Sequence, residues 1–82
     1  MAEKPRILII DDEEIVRDSC TQILAKSNYE IATASNGRDG LALLEEFHPD
    51  LALVDLKMPG ISGFEVLDQI HAYDPTIVAI VI

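Results

Sequence analysis

Three aspartates are placed where a carboxylate can do chemistry. Asp11 and Asp12 follow the apolar run Ile7-Leu-Ile-Ile10, and Asp55 follows Leu51-Ala-Leu-Val54. A carboxylate at the tip of a rigid strand is held at a fixed point, where it can ligate a hard cation or act as an oxygen nucleophile. Three such groups in one pocket repel, and each ionises reluctantly unless a cation intervenes. Mg²⁺ suits that gap: it prefers oxygen, keeps several waters, and accepts one or two carboxylates plus a phosphate oxygen. With Asp55 as nucleophile, the chemistry is aspartyl-phosphate formation, a transfer governed by position and electrostatics. Behind Asp55, the residues Pro59, Gly60 and Gly63 shape a loop, because glycine tolerates conformations closed to other residues, and Met58 packs beneath it.

Whether the aspartates meet depends on the elements that carry them. Arg6 to Ile10 is a β-branched run without polar alternation, as in a parallel strand buried on both faces. From about Glu14 to Lys26, Val16, Cys20, Ile23 and Leu24 recur with helical spacing, and Glu13 and Glu14 suit the positive end of the helix dipole. Tyr29 to Ala34 alternates enough for a strand nearer a sheet edge. Ser35-Asn36-Gly37 offers cap chemistry for a helix to about Phe47, carrying Leu41, Leu44 and Phe47. His48-Pro49-Asp50 turns the chain into a third strand, Leu51 to Val54. A third helix from about Gly63 places Phe64, Leu67, Ile70 and His71 on one side, with Phe64, Leu67 and Ile70 expected in the core. Thr76 to Ile82 is a fourth, wholly apolar strand.

The order βαβαβαβ calls for a parallel α/β sheet with helices on both faces and right-handed crossovers. In the flavodoxin-like doubly wound order the first and third strands are neighbours at the switch point, where ligands bind at the strands' carboxyl ends. That order gathers Asp11, Asp12 and Asp55, although Asp55 lies 43 residues beyond Asp12.

The totals narrow the function further. Fifteen acidic residues against six basic ones give a net charge of −9, which argues against direct nucleic-acid binding by this segment and favours a cationic ligand or basic partner. One cysteine, Cys20, cannot close an internal disulfide; on the apolar stripe it reads as an inert core thiol. His48 and His71 have no companions at metal-ligand spacing and read as surface or boundary residues. Glu13 and Glu14 read as solvated first-turn acids, and Lys57 as solvent-facing. The longest apolar run, Ile77 to Ile82, is far short of a membrane helix, and MAEKPR leads into a strand without a signal-peptide core, so a cytoplasmic location is expected. Neither G-x-G-x-x-G nor G-x-x-x-x-G-K-[ST] occurs.

Ile9-Ile10-Asp11-Asp12-Glu13 together with Asp55-Leu56-Lys57-Met58-Pro59-Gly60-Ile61-Ser62-Gly63 closely resembles the receiver domain of two-component response regulators, from Arg6 to Ile82. The resemblance implies that Asp55 accepts a phosphoryl group from a histidine kinase or phosphotransfer protein. It implies that Asp12 binds Mg²⁺ directly, Asp11 largely through water, and the backbone carbonyl of Lys57 completes the protein ligands. An output domain or partner would then be switched. The family also carries a Thr or Ser after the fourth strand, a fifth strand ending in Lys, and a last helix. Residues 1–82 are therefore expected to be the N-terminal two-thirds of a receiver, with strand order 2-1-3-4. The fourth strand, as an exposed apolar edge, is expected to support self-association.

Two other functions compete. A Mg²⁺-dependent phosphohydrolase with an aspartyl nucleophile would turn over a small phosphoester; the strand-end D-x-D of haloacid-dehalogenase-type enzymes is replaced here by adjacent aspartates. A pseudo-receiver would dock partners without being phosphorylated, which the intact acidic pair and Asp55 argue against.

Overall fold

The computed structural model describes residues 4–82, which form one four-stranded parallel sheet and three helices. In chain order these are β1 (Arg6–Ile10), α1 (Glu14–Ala25), β2 (Glu30–Ala34), α2 (Gly37–Phe47), β3 (Leu51–Val54), α3 (Gly63–Tyr73) and β4 (Val78–Val81). The strand order is β2-β1-β3-β4, the flavodoxin-like arrangement expected from the sequence. Ile10 pairs with both Ala34 and Val54, so β1 and β3 end level with each other.

Pleating divides the sheet's side chains between two faces. Leu8 and Ile10 of β1 join Ala52 and Val54 of β3 in the core, together with Leu44 of α2 and Val66 and Ile70 of α3. Helix α1 covers the opposite face over β1 and β2, where Ile7 and Ile9 are buried. Crossing from β1 to β2 and then back over β1 to β3 requires this division, because right-handed crossovers in opposite directions fall on opposite faces.

Two core expectations fail on helix rotation. Ile23 is 66% exposed, while Val16, Cys20 and Leu24 are half-buried. A seven-residue step falls about 20° short of two full turns, which carries Ile23 from Val16 towards the solvent side of the stripe. Phe64 is likewise 66% exposed, because Gly63, Val66 and Ile70 form the buried line of α3. Val66, fully buried, belongs to the core in its place.

Helix α2 starts as expected: the Asn36 side chain accepts from the Asp39 N–H at 2.8 Å. Ser62 does the same for α3, accepting from Glu65 N at 3.2 Å. Close packing of α2 requires glycine at two points. A Cβ on Gly40 would collide with the Ile10 side chain, and one on Gly37 would lie 2.6 Å from Val66 Cγ2. At the opposite end of the sheet Arg6 ties β1 down. Its N–H donates to Asp50 Oδ2 at 2.8 Å, and its guanidinium donates to Phe47 O and pairs with Glu30. Among the described residues no helix is long and apolar enough to cross a membrane.

Candidate functional site

Both strand ends deliver their aspartates to the carboxyl edge of the sheet, above its two central strands. The ladder extends one step past β1: Asp11 N donates to Ala34 O at 3.1 Å, and Asp55 N donates to Ile10 O at 2.9 Å. These bonds hold the two backbones side by side. Carboxylate oxygens of Asp11, Asp12 and Asp55 lie within 4.8 Å of one another. Asp11 is buried, Asp55 is half-buried and Asp12 is exposed, so the cluster opens to solvent on the Asp12 side.

Local turns set the carboxylates. Asp11 Oδ1 accepts from Glu13 N at 2.9 Å, and Asp55 Oδ1 accepts from Lys57 N at 2.9 Å; in each case a side chain bonds the backbone two residues on. Helix α1 begins without a side-chain cap. Glu13, not Asp12, is the N-cap residue, and its side chain makes no cap hydrogen bond. Among the described residues no backbone N–H donates to the Asp12 carboxylate.

The electrostatics of the cluster are unfavourable as it stands. Burial pushes the Asp11 carboxyl above its usual range, and the charges of Asp55 and Asp12 push in the same direction against the Glu13 hydrogen bond. A hard divalent cation would relieve both effects, and the donor set is all oxygen, which fits Mg²⁺ rather than a softer metal.

Of the loop residues, Met58 is buried in the core cluster, while Lys57, Pro59 and Gly60 are exposed. Gly60 adopts φ +84, and a Cβ there would meet nothing within 4 Å. Gly63 serves differently: a Cβ would lie 2.6 Å from both Asp55 O and Leu56 Cα. Glycine at 63 therefore lets α3 begin directly against the backbone that carries Asp55.

One contact at the site was not legible from residue patterns. Arg17 Nη1 donates to the Asp11 carbonyl at 2.8 Å. The available signal was a cation in the first turn of α1, at the end of the helix that disfavours positive charge. Arg17 also lines a crevice of about 460 Å³ with Thr33, Ser35, Asp39 and Glu46; that crevice includes none of the three aspartates.

Comparison with known proteins gives a consistent picture. The family model for the response regulator receiver domain matches residues 7–82. The chain is 41% identical over 70 residues to the transcriptional regulatory protein AfsQ1 of Streptomyces coelicolor, covering 85% of this chain and 31% of that protein. A CheY-like response regulator receiver domain protein from Methanospirillum hungatei superposes with a TM-score of 0.93 at 38% identity, over 96% of this chain and 63% of that one. The response regulator TrrA from Thermotoga maritima, solved in complex with Mg(2+)-BeF, gives 0.83 at 38% identity, over 94% of this chain and 65% of that one. The chain thus spans about a third of AfsQ1 and under two-thirds of the first structure. Strand order, paired strand ends and a match over nearly every described residue lead to one assignment: this chain belongs to the response regulator receiver family of two-component signalling.

Proposed function

We propose that Asp55 is the phosphoacceptor of this receiver. A carboxylate oxygen of Asp55 attacks the phosphorus of a phosphohistidine on a histidine kinase or phosphotransfer protein. The P–N bond breaks as the P–O bond forms, the donor imidazole regains a proton from solvent, and an acyl phosphate results. The observation that carries this reading is the convergence of three carboxylates from two adjacent strand ends within 4.8 Å, in a chain of this family.

The residues proposed to hold Mg²⁺ are Asp12 directly, Asp11 largely through water, Asp55 itself and the backbone carbonyl of Lys57. Bound there, the cation supplies positive charge against the phosphoryl oxygens and the clustered carboxylates. The chain's own part is positional. Asp55 is held by the Ile10 and Lys57 hydrogen bonds, which leave its second oxygen for attack. Met58, Pro59 and Gly63 shape the loop behind it.

Residues 1–82 are read as the N-terminal two-thirds of the receiver, located in the cytoplasm and without nucleic-acid contacts of their own. Phosphorylation would bias a two-state element that an output domain or partner reads. For the 82-residue chain alone we further propose self-association through β4, whose Val78, Ile80 and Val81 are 44–57% exposed at the sheet edge, with Ile82 just beyond it also exposed.

The test is incubation with phosphoramidate and Mg²⁺ followed by hydroxylamine. A single phosphoryl group that hydroxylamine removes is expected of an acyl phosphate. Sustained turnover of a chromogenic phosphoester would replace this reading with the phosphohydrolase. Failure to bind Mg²⁺ would favour the docking pseudo-receiver.

A further inference from the structure

We propose that Arg17 is a positioning residue for the cation site: by holding the Asp11 carbonyl it fixes the Asp11–Asp12 peptide, and with it the direction of the Asp12 carboxylate. The inference rests on the reading that the acidic cluster binds Mg²⁺.

The Asp12 side chain is exposed and takes no hydrogen bond among the described residues, so its aim depends on its backbone. Three bonds hold the backbone around Asp12, two on its Asp11 side and one that reaches across it to Glu13 N. Asp11 N donates to Ala34 O, Asp11 Oδ1 accepts from Glu13 N, and Asp11 O accepts from Arg17 Nη1 at 2.8 Å. The third is the one that fixes the peptide plane joining Asp11 to Asp12, because its acceptor belongs to that plane. Without it, the plane could rotate about the Asp11 and Asp12 dihedrals and carry the Asp12 carboxylate away from Asp55.

Arg17 is itself well anchored. Its N–H donates to Glu13 O at 3.1 Å, and its carbonyl accepts from Thr21 Oγ1 at 2.7 Å. Its choice of partner is informative. In a chain with fifteen acidic and six basic residues, Asp39 and Glu46 line the same crevice, yet the ion pair found among the described residues is Arg6 with Glu30. The guanidinium is committed to a main-chain carbonyl, in a helix turn that disfavours its charge. A charge-assisted bond to a backbone oxygen between two ligand carboxylates is what an outer-shell orienting group makes.

The competing explanations differ in sign. If Arg17 acted only through its charge, removing it beside a cation site would tighten Mg²⁺ binding, and Arg17→Lys would leave it unchanged. If Arg17 only stabilised α1, the unfolding temperature would fall while Mg²⁺ affinity stayed the same. Positioning predicts weaker binding in both Arg17→Ala and Arg17→Lys, since an ammonium does not reproduce the planar guanidinium fork.

The experiment is calorimetric Mg²⁺ titration of wild type, Arg17→Ala and Arg17→Lys, with thermal unfolding of each recorded in EDTA. The expected result is an affinity loss of about tenfold or more in both variants, as for other outer-shell partners. Equal or tighter binding by a variant that still unfolds cooperatively overturns the proposal. If Arg17→Ala does not fold, Arg17→Gln is read in its place. Absence of Mg²⁺ binding by the wild type instead overturns the parent reading, which separates the two failures.

Discussion

Replacing Gly63 by alanine perturbs the backbone next to the acidic cluster and leaves every side chain in the cluster intact. The added Cβ would lie 2.6 Å from Asp55 O and from Leu56 Cα, both main-chain atoms that cannot swing aside. Contacts under 3.0 Å are not sustained, so α3 and the Asp55–Leu56 segment must part by at least about 0.4 Å. Overpacking of this kind costs about 1–3 kcal/mol, and alanine's better helix propensity returns at most about 1 kcal/mol, leaving a net loss of up to about 2 kcal/mol when that full amount is returned. Because a misplacement of about 1 Å can cost two orders of magnitude at a site, a shift of this size should weaken Mg²⁺ binding several-fold. Gly60→Ala is the internal control. Its added Cβ meets nothing, but φ +84 is unfavourable for alanine, so it should cost about 1 kcal/mol with Mg²⁺ affinity preserved. Urea denaturation in EDTA and Mg²⁺ titration of both variants measure the two effects. Wild-type stability and affinity in Gly63→Ala, or equal affinity losses in both variants, would refute the reasoning.

Three other outcomes are expected. Asp11 has a raised pKa in the fold, so the folded state binds its proton more tightly than the unfolded chain does, and the Asp11 contribution to stability falls as pH rises from the ordinary value of 3.8 through the raised one, whereas that of Asp74, whose pKa is lowered by its hydrogen bonds to Thr76, runs the other way. In EDTA, Asp11→Asn should therefore flatten that decline and melt higher than wild type at pH 7, while losing stabilisation by Mg²⁺; a lower melting temperature at pH 7 contradicts the electrostatic account. Ile70→Val, at a fully buried position, should cost about 0.5–1.5 kcal/mol in urea denaturation, whereas Phe64→Ala should stay within about 0.5 kcal/mol; the reverse order would mean that the rotation of α3 is wrong. Ile80→Lys should suppress any concentration-dependent association seen by sedimentation velocity, and a wild-type chain that stays monomeric at high concentration removes edge pairing through β4.

The strands were the most legible part of the chain. Ile7 to Ile10 and Leu51 to Val54 are short apolar runs bounded by turn residues, and the alternation with helices leaves few topologies for them. Helix faces were less legible, since spacing constrains which residues share a stripe but not where the sheet lies beneath it. Ile23 and Phe64 sit at the edges of their stripes, and only packing against the sheet decides which edge is covered. The three aspartates stood out because strand ends are visible in sequence and the loop after Asp55 has a recognisable composition. Arg17 did not, because its partner is a carbonyl, and a side chain's main-chain partner leaves no pattern in residue types. Gly40 was hidden for a related reason: its role is space for Ile10, a residue 30 positions earlier on another element.

Within this cluster Asp55 is proposed to take the phosphoryl group. The most direct test is intact-protein mass after incubation with phosphoramidate, with and without Mg²⁺, for wild type and Asp55→Asn. The chain has no Trp, so mass reads the event where tryptophan fluorescence has nothing to report. The wild type should gain one phosphoryl group, dependent on Mg²⁺ and absent from Asp55→Asn. No adduct at saturating Mg²⁺, or an adduct that persists in Asp55→Asn, would contradict it.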